Sequence, residues 1–152
     1  AVVDAIGGGK VGIRLSPVTP ANDIIDSHPQ PLYDYVAEQL APLGLAFVHV
    51  VEGATGGPRE VEGRPFDYAD FKNNYRKFGG KGAWMVNNGY DKALAEKAIE
   101  SGHADMVAFG KAFISNPDLV ERLKADAPLN AWDQSTFYGG GEKGYTDYPA
   151  MG

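Results

Sequence analysis

The sequence lacks cysteine, long apolar runs and any excess of basic residues. With no cysteine among its 152 residues it can form neither a disulfide nor a thiolate metal site, which predicts a cytoplasmic location. No apolar run reaches the roughly 18 residues that a membrane-spanning helix needs. The formal net charge of −6, with no basic cluster to offset it, argues against nucleic acid as a partner.

The composition that is present is typical of a folded domain. Hydrophobic residues make up 43% and charged residues 22% of the chain, and the length is sufficient for one hydrophobic core. Glycine is frequent, at 20 residues, and falls mainly at the ends of predicted elements. The chain does not begin with Met, and residues 1–10 have the composition of a helix end. We therefore expect a piece of a longer protein, either cleaved or split.

Short apolar runs alternate with segments of helical periodicity along the chain. The predicted strands cover residues 10–17, 45–51, 83–87 and 106–109, and the predicted helices cover residues 31–40, 67–78, 90–101 and 117–124. This alternation predicts parallel strands joined by right-handed crossovers. Two architectures fit it: a small open doubly wound sheet, or half of a (β/α)8 barrel. No GxGxxG motif follows the first strand, which argues against a dinucleotide-binding fold of the Rossmann type.

Polar and glycine residues follow the last two predicted strands. Asn88 and Gly89 come after the third strand, and Gly110 and Lys111 after the fourth. Glycine lets the backbone approach a phosphate, and amide groups with a nearby cation supply positive potential. A (β/α)8 barrel often builds its phosphate site after its last two strands. The pattern indicates such a site, and the alternative is a buried strand followed by a turn and a surface lysine.

Two polar residues interrupt otherwise apolar strands. Arg14 lies within the first strand, where a cation needs an anion or another acceptor. That acceptor is either a ligand or a core carboxylate such as Glu52 or Asp105, and the sequence leaves both open. His49 lies within the second strand, and we expect a hydrogen-bonded core residue there rather than a base or a ligand.

The end of the chain carries one further helix signal and an aromatic tail. We expect Asn116 to cap a helix that has Pro117 at its first position. Residues 127–152 are rich in glycine and in aromatic residues, which is unusual for a flexible linker. This tail is predicted to pack over another part of the protein.

Five segments, taken together and in this order, resemble the C-terminal half of the Old Yellow Enzyme family. They are VGIRLSP at 11–17, NNGY at 87–90, AFGKAFISNPDLVERL at 108–123, APLN at 127–130 and TFYGGGEKGYTDYP at 136–149. Members of this family are FMN-dependent ene-reductases built on a (β/α)8 barrel. The resemblance covers essentially the whole chain. It implies that the chain supplies roughly strands five to eight of the barrel, with residues 127–152 as a tail over it.

The resemblance implies a set of cofactor-binding residues. Arg14 matches the arginine beside the pyrimidine edge of the flavin, where a cation stabilises negative charge on the reduced ring. Asn88 and Gly89 match backbone contacts to the FMN phosphate after the seventh strand, and Gly110 matches the phosphate-binding glycine after the eighth. Lys111 stands in place of the phosphate-binding arginine, so it keeps the charge but loses bidentate geometry. Retained FMN binding is expected.

The resemblance assigns one substrate-binding residue to this chain and places the catalytic groups elsewhere. Tyr138 matches an aromatic residue that lines the substrate pocket. The substrate-anchoring His/Asn pair and the proton-donating tyrosine come from the N-terminal half of the family, so no catalytic residue is assigned here. With that half as partner, the protein would reduce activated alkenes (enones, nitroalkenes, maleimides) using NADPH or NADH, and the isolated chain would be inactive. The alternative is a non-catalytic half-barrel that binds FMN or phosphate and self-associates.

Overall fold

The structure, a computed structural model, describes residues 1–21, 25–139 and 141–152. These ranges contain the strands β1 (Gly12–Leu15), β2 (Phe47–Val51), β3 (Ala83–Asn87) and β4 (Met106–Ala108). They also contain the helices α1 (Val2–Ile6), α2 (Pro29–Leu40), α3 (Tyr68–Lys77), α4 (Lys92–Glu100), α5 (Lys111–Ser115) and α6 (Leu119–Lys124). Short 3-10 turns cover Gly8–Lys10, Ala41–Leu43 and Gln134–Thr136. None of the helices in these ranges is long and apolar enough to cross a membrane.

The strands form one parallel sheet in which they lie side by side in chain order. The register aligns Arg14 of β1 with His49 of β2, and His49 with Met85 of β3. A helix follows each strand, which confirms the predicted alternation. Because the strands are parallel, their carboxyl ends lie along the same edge of the sheet. The segments after β2 and β3 therefore leave the sheet next to each other.

One face of the sheet packs against helices α2, α3 and α4. The side chains that form this core include those of Val48, Val50, Trp84 and Val86 from the strands and Ala37, Phe71, Tyr75 and Ala98 from the helices. The rings of Phe71 and Trp84 meet edge to face, with centroids 5.2 Å apart. Asp67 and Asp91 cap α3 and α4, each accepting a hydrogen bond of 2.8 Å from a backbone N–H of the first turn. The helix layer therefore holds the strand ends in fixed positions.

The other face of the sheet carries the residues that alternate with the core positions. Arg14 is exposed there, and His49 and Met85 are half-buried. Gly12 lies against the ring of Phe47, since a Cβ built on Gly12 would sit 2.2 Å from the ring Cζ. The polar side chains within the strands thus lie on the face opposite the helix-packed core.

Tertiary contacts divide the chain into two compact units, Ala1–Ala108 and Phe109–Gly152. The first contains the sheet and α1 to α4, and the second contains α5, α6 and the tail. Within the second unit, the buried Arg122 of α6 holds the tail by donating to the backbone oxygens of Pro128, at 2.6 Å, and Pro149, at 3.0 Å. The tail therefore packs on α6, while its place over a barrel stays a prediction.

The predicted helix start at Asn116 and Pro117 is wrong. Asn116 is buried and follows the end of α5, where its Nδ2 donates to the backbone oxygen of Ala112 at 2.8 Å. Its Oδ1 accepts a hydrogen bond of 2.7 Å from the backbone N–H of Asn130 in the tail. Because both ends of this amide are engaged elsewhere, it cannot cap the next helix. That helix, α6, begins later, at Leu119.

Candidate functional site

A buried carboxylate is the centre of the polar cluster beside the end of β2. Glu52 is 2% exposed, and its Oε2 accepts hydrogen bonds from Arg59 Nη2 at 2.6 Å and Tyr90 Oη at 2.7 Å. Its Oε1 lies 2.5 Å from His103 Nε2. Three donors compensate for the loss of water around the buried charge. Glu52 is therefore a structural carboxylate whose oxygens are already occupied.

Arg59 connects the loop after β2 to the segment after β3. It binds Glu52, donates to the backbone oxygen of Asn88 at 3.2 Å, and stacks on Tyr90 with 4.3 Å between its Cζ and the ring centroid. Burial raises the pKa of Tyr90 to about 12, and the carboxylate of Glu52 acts in the same direction against the opposing effect of Arg59. This cluster was not predicted from the sequence, although the charged residues among the glycines and prolines of residues 53–65 were a signal for it.

Neither of the two carboxylates considered as partners of Arg14 pairs with it. Glu52 binds Arg59, and Asp105 binds Arg76 with 2.9 Å between its Oδ2 and Nη2. Within the described ranges, Arg14 makes no ion pair or hydrogen bond, and its side chain is exposed. Each of these carboxylates is paired with a different arginine. The role of Arg14 beside a flavin stays a prediction.

His49 is hydrogen-bonded, as predicted, but it lies on the face opposite the core. Its Nε2 is 3.0 Å from Oδ1 of Asn87. Burial lowers the pKa of His49, and the nearby charge of Arg14 lowers it further, while the hydrogen bond to Asn87 acts in the opposite direction. The ring is therefore biased towards its neutral form.

Asn88 and Gly89 form the turn that follows β3, and both have a positive φ, of 93° and 69°. The side chain of Asn88 is used within the protein: Oδ1 accepts from the backbone N–H of Gly56 at 3.0 Å, and Nδ2 donates to the backbone oxygen of Glu52 at 2.7 Å. The backbone N–H groups of Asn88 and Gly89 donate to no group that the structure describes. This turn can therefore offer two backbone donors to an anion.

Gly110 and Lys111 lie in the second unit, at the start of α5. A Cβ built on Gly110 would meet no atom within 4 Å, so packing among the described residues does not require glycine there. Lys111 is exposed, and its Nζ lies 5.3 Å from the ring centroid of Trp132. The position thus has open space beside the backbone and a cation as the next residue.

Tyr138 also lies in the second unit, close to the end of the chain. It is 94% exposed, and its ring centroid is 6.5 Å from that of Phe137, at 83°. Its role in lining a substrate pocket stays a prediction.

A cavity of about 580 Å³ lies in the first unit next to the Glu52 cluster. Its lining includes Glu52, Arg59, Arg64, Phe66, Tyr68 and His103. None of the cofactor residues predicted in this unit (Arg14, Asn88 and Gly89) lines it. The cavity is therefore lined by members of the Glu52 cluster, whose Arg59 contacts the Asn88 backbone from outside the predicted set of cofactor residues.

The chain is similar in sequence to flavin oxidoreductases. It matches the NADH:flavin oxidoreductase / NADH oxidase family over residues 1–130. It is 40% identical over 158 residues to 12-oxophytodienoate reductase 1 of Oryza sativa subsp. japonica, covering 99% of this chain and 39% of the relative. It is also 40% identical over 151 residues to a "Probable flavin mononucleotide-dependent alkene reductase" of Leishmania infantum, with 99% and 39% covered. The chain thus spans about 40% of the length of the curated relatives it matches.

Solved structures show the same relationship in three dimensions. The old yellow enzyme from Trypanosoma cruzi matches with a TM-score of 0.86 and 36% identity, over 99% of this chain and 38% of that one. Morphinone reductase matches with a TM-score of 0.83 and 38% identity, over the same shares. The old yellow enzymes are (β/α)8 barrels, so the prediction of a partial barrel is confirmed. The resemblance to the Old Yellow Enzymes is confirmed as well, and the chain belongs to the NADH:flavin oxidoreductase / NADH oxidase family.

Proposed function

We propose that this chain is part of an FMN-dependent ene-reductase, of which it supplies much of the cofactor site. The observation that carries the proposal is the Asn88–Gly89 turn, whose two backbone N–H groups have no partner in the described ranges. Phosphate oxygens accept hydrogen bonds from such groups. Bound FMN would take reducing equivalents from NADPH or NADH and supply the hydride chemistry for reduction of an activated alkene.

The predicted cofactor residues, each considered within its own unit, have the chemistry that the phosphate and ring edge of FMN require. The turn after β3 offers backbone donors, and Gly110 has open space where a side chain would otherwise stand. Lys111 would add a cation for the phosphate. Arg14 is an exposed cation without a carboxylate partner among the described residues, as expected of a residue that stabilises negative charge on a reduced ring.

The remaining functional groups would come from the N-terminal half of the same protein. We propose that this half supplies the proton-donor tyrosine and the His/Asn pair that anchors the substrate, with Tyr138 lining the pocket for enones, nitroalkenes and maleimides. β1 and β4 are the outer strands of the described sheet, and each has an edge that the missing strands would pair with. The isolated chain would be inactive, and the cytoplasm is the location we propose for the protein.

A second function follows from the same open edges. A non-catalytic half-barrel that binds FMN or phosphate could cover β1 and β4 by pairing with another copy of itself. Sedimentation of the pure chain distinguishes the two functions. A stable homodimer that retains FMN would favour the binding module, and a monomer that assembles only with an N-terminal half would favour the ene-reductase.

The test of the ene-reductase is complementation. The chain is mixed with the N-terminal segment that completes a relative such as the Trypanosoma cruzi old yellow enzyme, and both the mixture and the chain alone are assayed with NADPH and cyclohexenone. We expect FMN binding and turnover in the mixture and no turnover from the chain alone. A mixture that assembles but binds no FMN would overturn the proposal, and turnover by the chain alone would refute its dependence on a second half.

A further inference from the structure

Three polar side chains form a row across β1, β2 and β3. Arg14 lies opposite His49 in the register, and Asn87 lies two residues beyond Met85, which is opposite His49. Side chains two residues apart on a strand point to the same face. The 3.0 Å between His49 Nε2 and Asn87 Oδ1 shows that these two meet on that face. All three residues belong to the first unit.

Within this row, no hydrogen bond or ion pair with a described residue fixes the orientation of the Arg14 side chain. It is the one formally charged residue in the four described strands, and it makes no ion pair or hydrogen bond with the residues that the structure describes. An arginine side chain has roughly 2 kcal/mol of rotamer entropy to lose when it is held in one orientation. A cofactor that depends on this guanidinium would bind more tightly if a neighbouring residue restricted it beforehand.

His49 has the chemistry to restrict it. Because Oδ1 of Asn87 can only accept, Nε2 of His49 carries the proton and Nδ1 is left as an acceptor. Burial and the Arg14 charge lower the pKa of His49, which keeps the ring neutral. A neutral imidazole beside a guanidinium offers a lone pair, whereas an imidazolium would repel it.

We propose that His49 is a positioning residue for the cofactor site: held by Asn87, it directs the guanidinium of Arg14 towards the pyrimidine edge of the flavin. This inference rests on the proposed function and adds to it a residue that acts only through Arg14. Partners of this kind, one contact removed from the ligand, fix the orientation and protonation of the residues that touch it.

The test is a double-mutant cycle in the complemented protein. The readout is the ratio of the affinities for reduced and oxidised FMN, which follows from the reduction potentials of bound and free FMN and does not depend on turnover. Arg14 and His49 are register partners on adjacent strands, and the charge of Arg14 acts on the His49 ring. We therefore expect Arg14→Ala to lower this ratio about thirtyfold and His49→Phe about tenfold. In the Arg14→Ala background, His49→Phe should have no further effect.

Two further variants and a control define the role. Asn87→Ala should reproduce the loss seen with His49→Phe, and it tests the inference independently if the phenylalanine variant does not fold. His49→Gln, which keeps a hydrogen-bonding group, should recover the ratio to within about threefold. Met85→Leu conserves volume on the same face, directly opposite His49, and should leave the ratio unchanged.

The outcomes separate this inference from the function on which it rests. Equal effects of His49→Phe with and without Arg14 would overturn the inference while FMN binding stands, and so would no effect at all. If the assembled, unaltered protein binds no FMN, the proposed function is wrong and the role of His49 is lost with it.

Discussion

At the scale of single residues, the Glu52 cluster shows how a buried charge is stabilised. The carboxylate is 2% exposed and receives hydrogen bonds from Arg59 and Tyr90, with His103 at its other oxygen. Removing it would leave Arg59 without its counter-ion in a partly buried position. The contribution of the cluster to the stability of the fold therefore depends on all of its members being present.

We predict that Glu52→Ala lowers the free energy of unfolding by about 2 kcal/mol, since it removes a buried carboxylate from partly exposed Arg59 and leaves two further donors without their acceptor. The matched control is Glu121→Ala. Glu121 is exposed and pairs with Lys124 at 3.2 Å, so the expected loss is below about 0.5 kcal/mol. Urea unfolding followed by circular dichroism measures both. Similar losses for the two variants would show that the Glu52 cluster contributes little.

His49 should make stability depend on pH. Its pKa is held below the ordinary value of 6.5 by burial and by Arg14. As the pH falls below 6.5, the unfolded chain therefore takes up a proton before the native one does, and the free energy of unfolding decreases. His49→Gln should flatten this dependence between about pH 7 and pH 5, while His28→Gln, at an exposed position outside the sheet, should not. Urea unfolding at each pH is the measurement, and an unchanged slope in His49→Gln would contradict the prediction.

At the scale of elements, the loop after β2 is held by contacts at its start and in its middle. Thr19 donates to the backbone oxygen of Gly53 at 3.0 Å, and the backbone N–H of Gly53 donates to Tyr68 Oη at 2.7 Å. Arg59 attaches the middle of the loop to Glu52 and to the Asn88 backbone. Close packing of the backbone therefore accounts for the glycine at position 53.

We predict that Gly53→Ala destabilises the protein by about 2 kcal/mol. The backbone has φ +79° at Gly53, and a Cβ there would lie 2.3 Å from the backbone oxygen of Pro58. Gly9→Ala is the control, since a Cβ at Gly9 meets no atom within 4 Å. Thermal unfolding of both variants should show a lower Tm for Gly53→Ala alone. Equal values of Tm would mean that the loop can relax around the added methyl group.

Element type was predictable from the sequence, whereas some element boundaries were not. Apolar runs bounded by glycine located β2 and β3 well, because periodicity and turn residues act locally. Asn116 and Pro117 carry a standard helix-start signal, but the Asn116 side chain is used by α5 and by Asn130. The competing contact lies 14 residues away in the chain, so no local pattern could reveal it.

At the scale of the whole molecule, the chain is a partial barrel, and the residues predicted to bind FMN are only some of those that the proposed reaction needs. The alignment with the old yellow enzyme from Trypanosoma cruzi includes 99% of this chain but only 38% of that enzyme. The outer strands β1 and β4 each have one neighbour in the described sheet. We therefore expect activity only of the proposed assembled protein, in which further strands would pair with those edges.

In the complemented protein, we predict that Lys111→Ala raises the Kd for FMN about tenfold, because a charge-assisted contact to the phosphate is lost. Lys111→Arg should bind FMN at least as tightly as the unaltered protein, since arginine contacts phosphate with two parallel hydrogen bonds. Lys124→Ala, in the ion pair with Glu121, is the control. Quenching of FMN fluorescence gives the Kd, and an effect of Lys124→Ala equal to that of Lys111→Ala would point to non-specific electrostatics.

The parallel β/α order could be predicted from the spacing of apolar residues, which is a property of short segments. The family could be predicted from the resemblance of five segments, and the cofactor roles of Arg14, Asn88, Gly89, Gly110 and Lys111 rest on that resemblance and stay predictions. Which charges meet became visible only in the folded chain. Arg59 rather than Arg14 neutralises Glu52, and His103 reaches that carboxylate across 51 residues of chain. Such pairs depend on how the helices and loops pack on the sheet, because partners distant in sequence are brought together by packing alone.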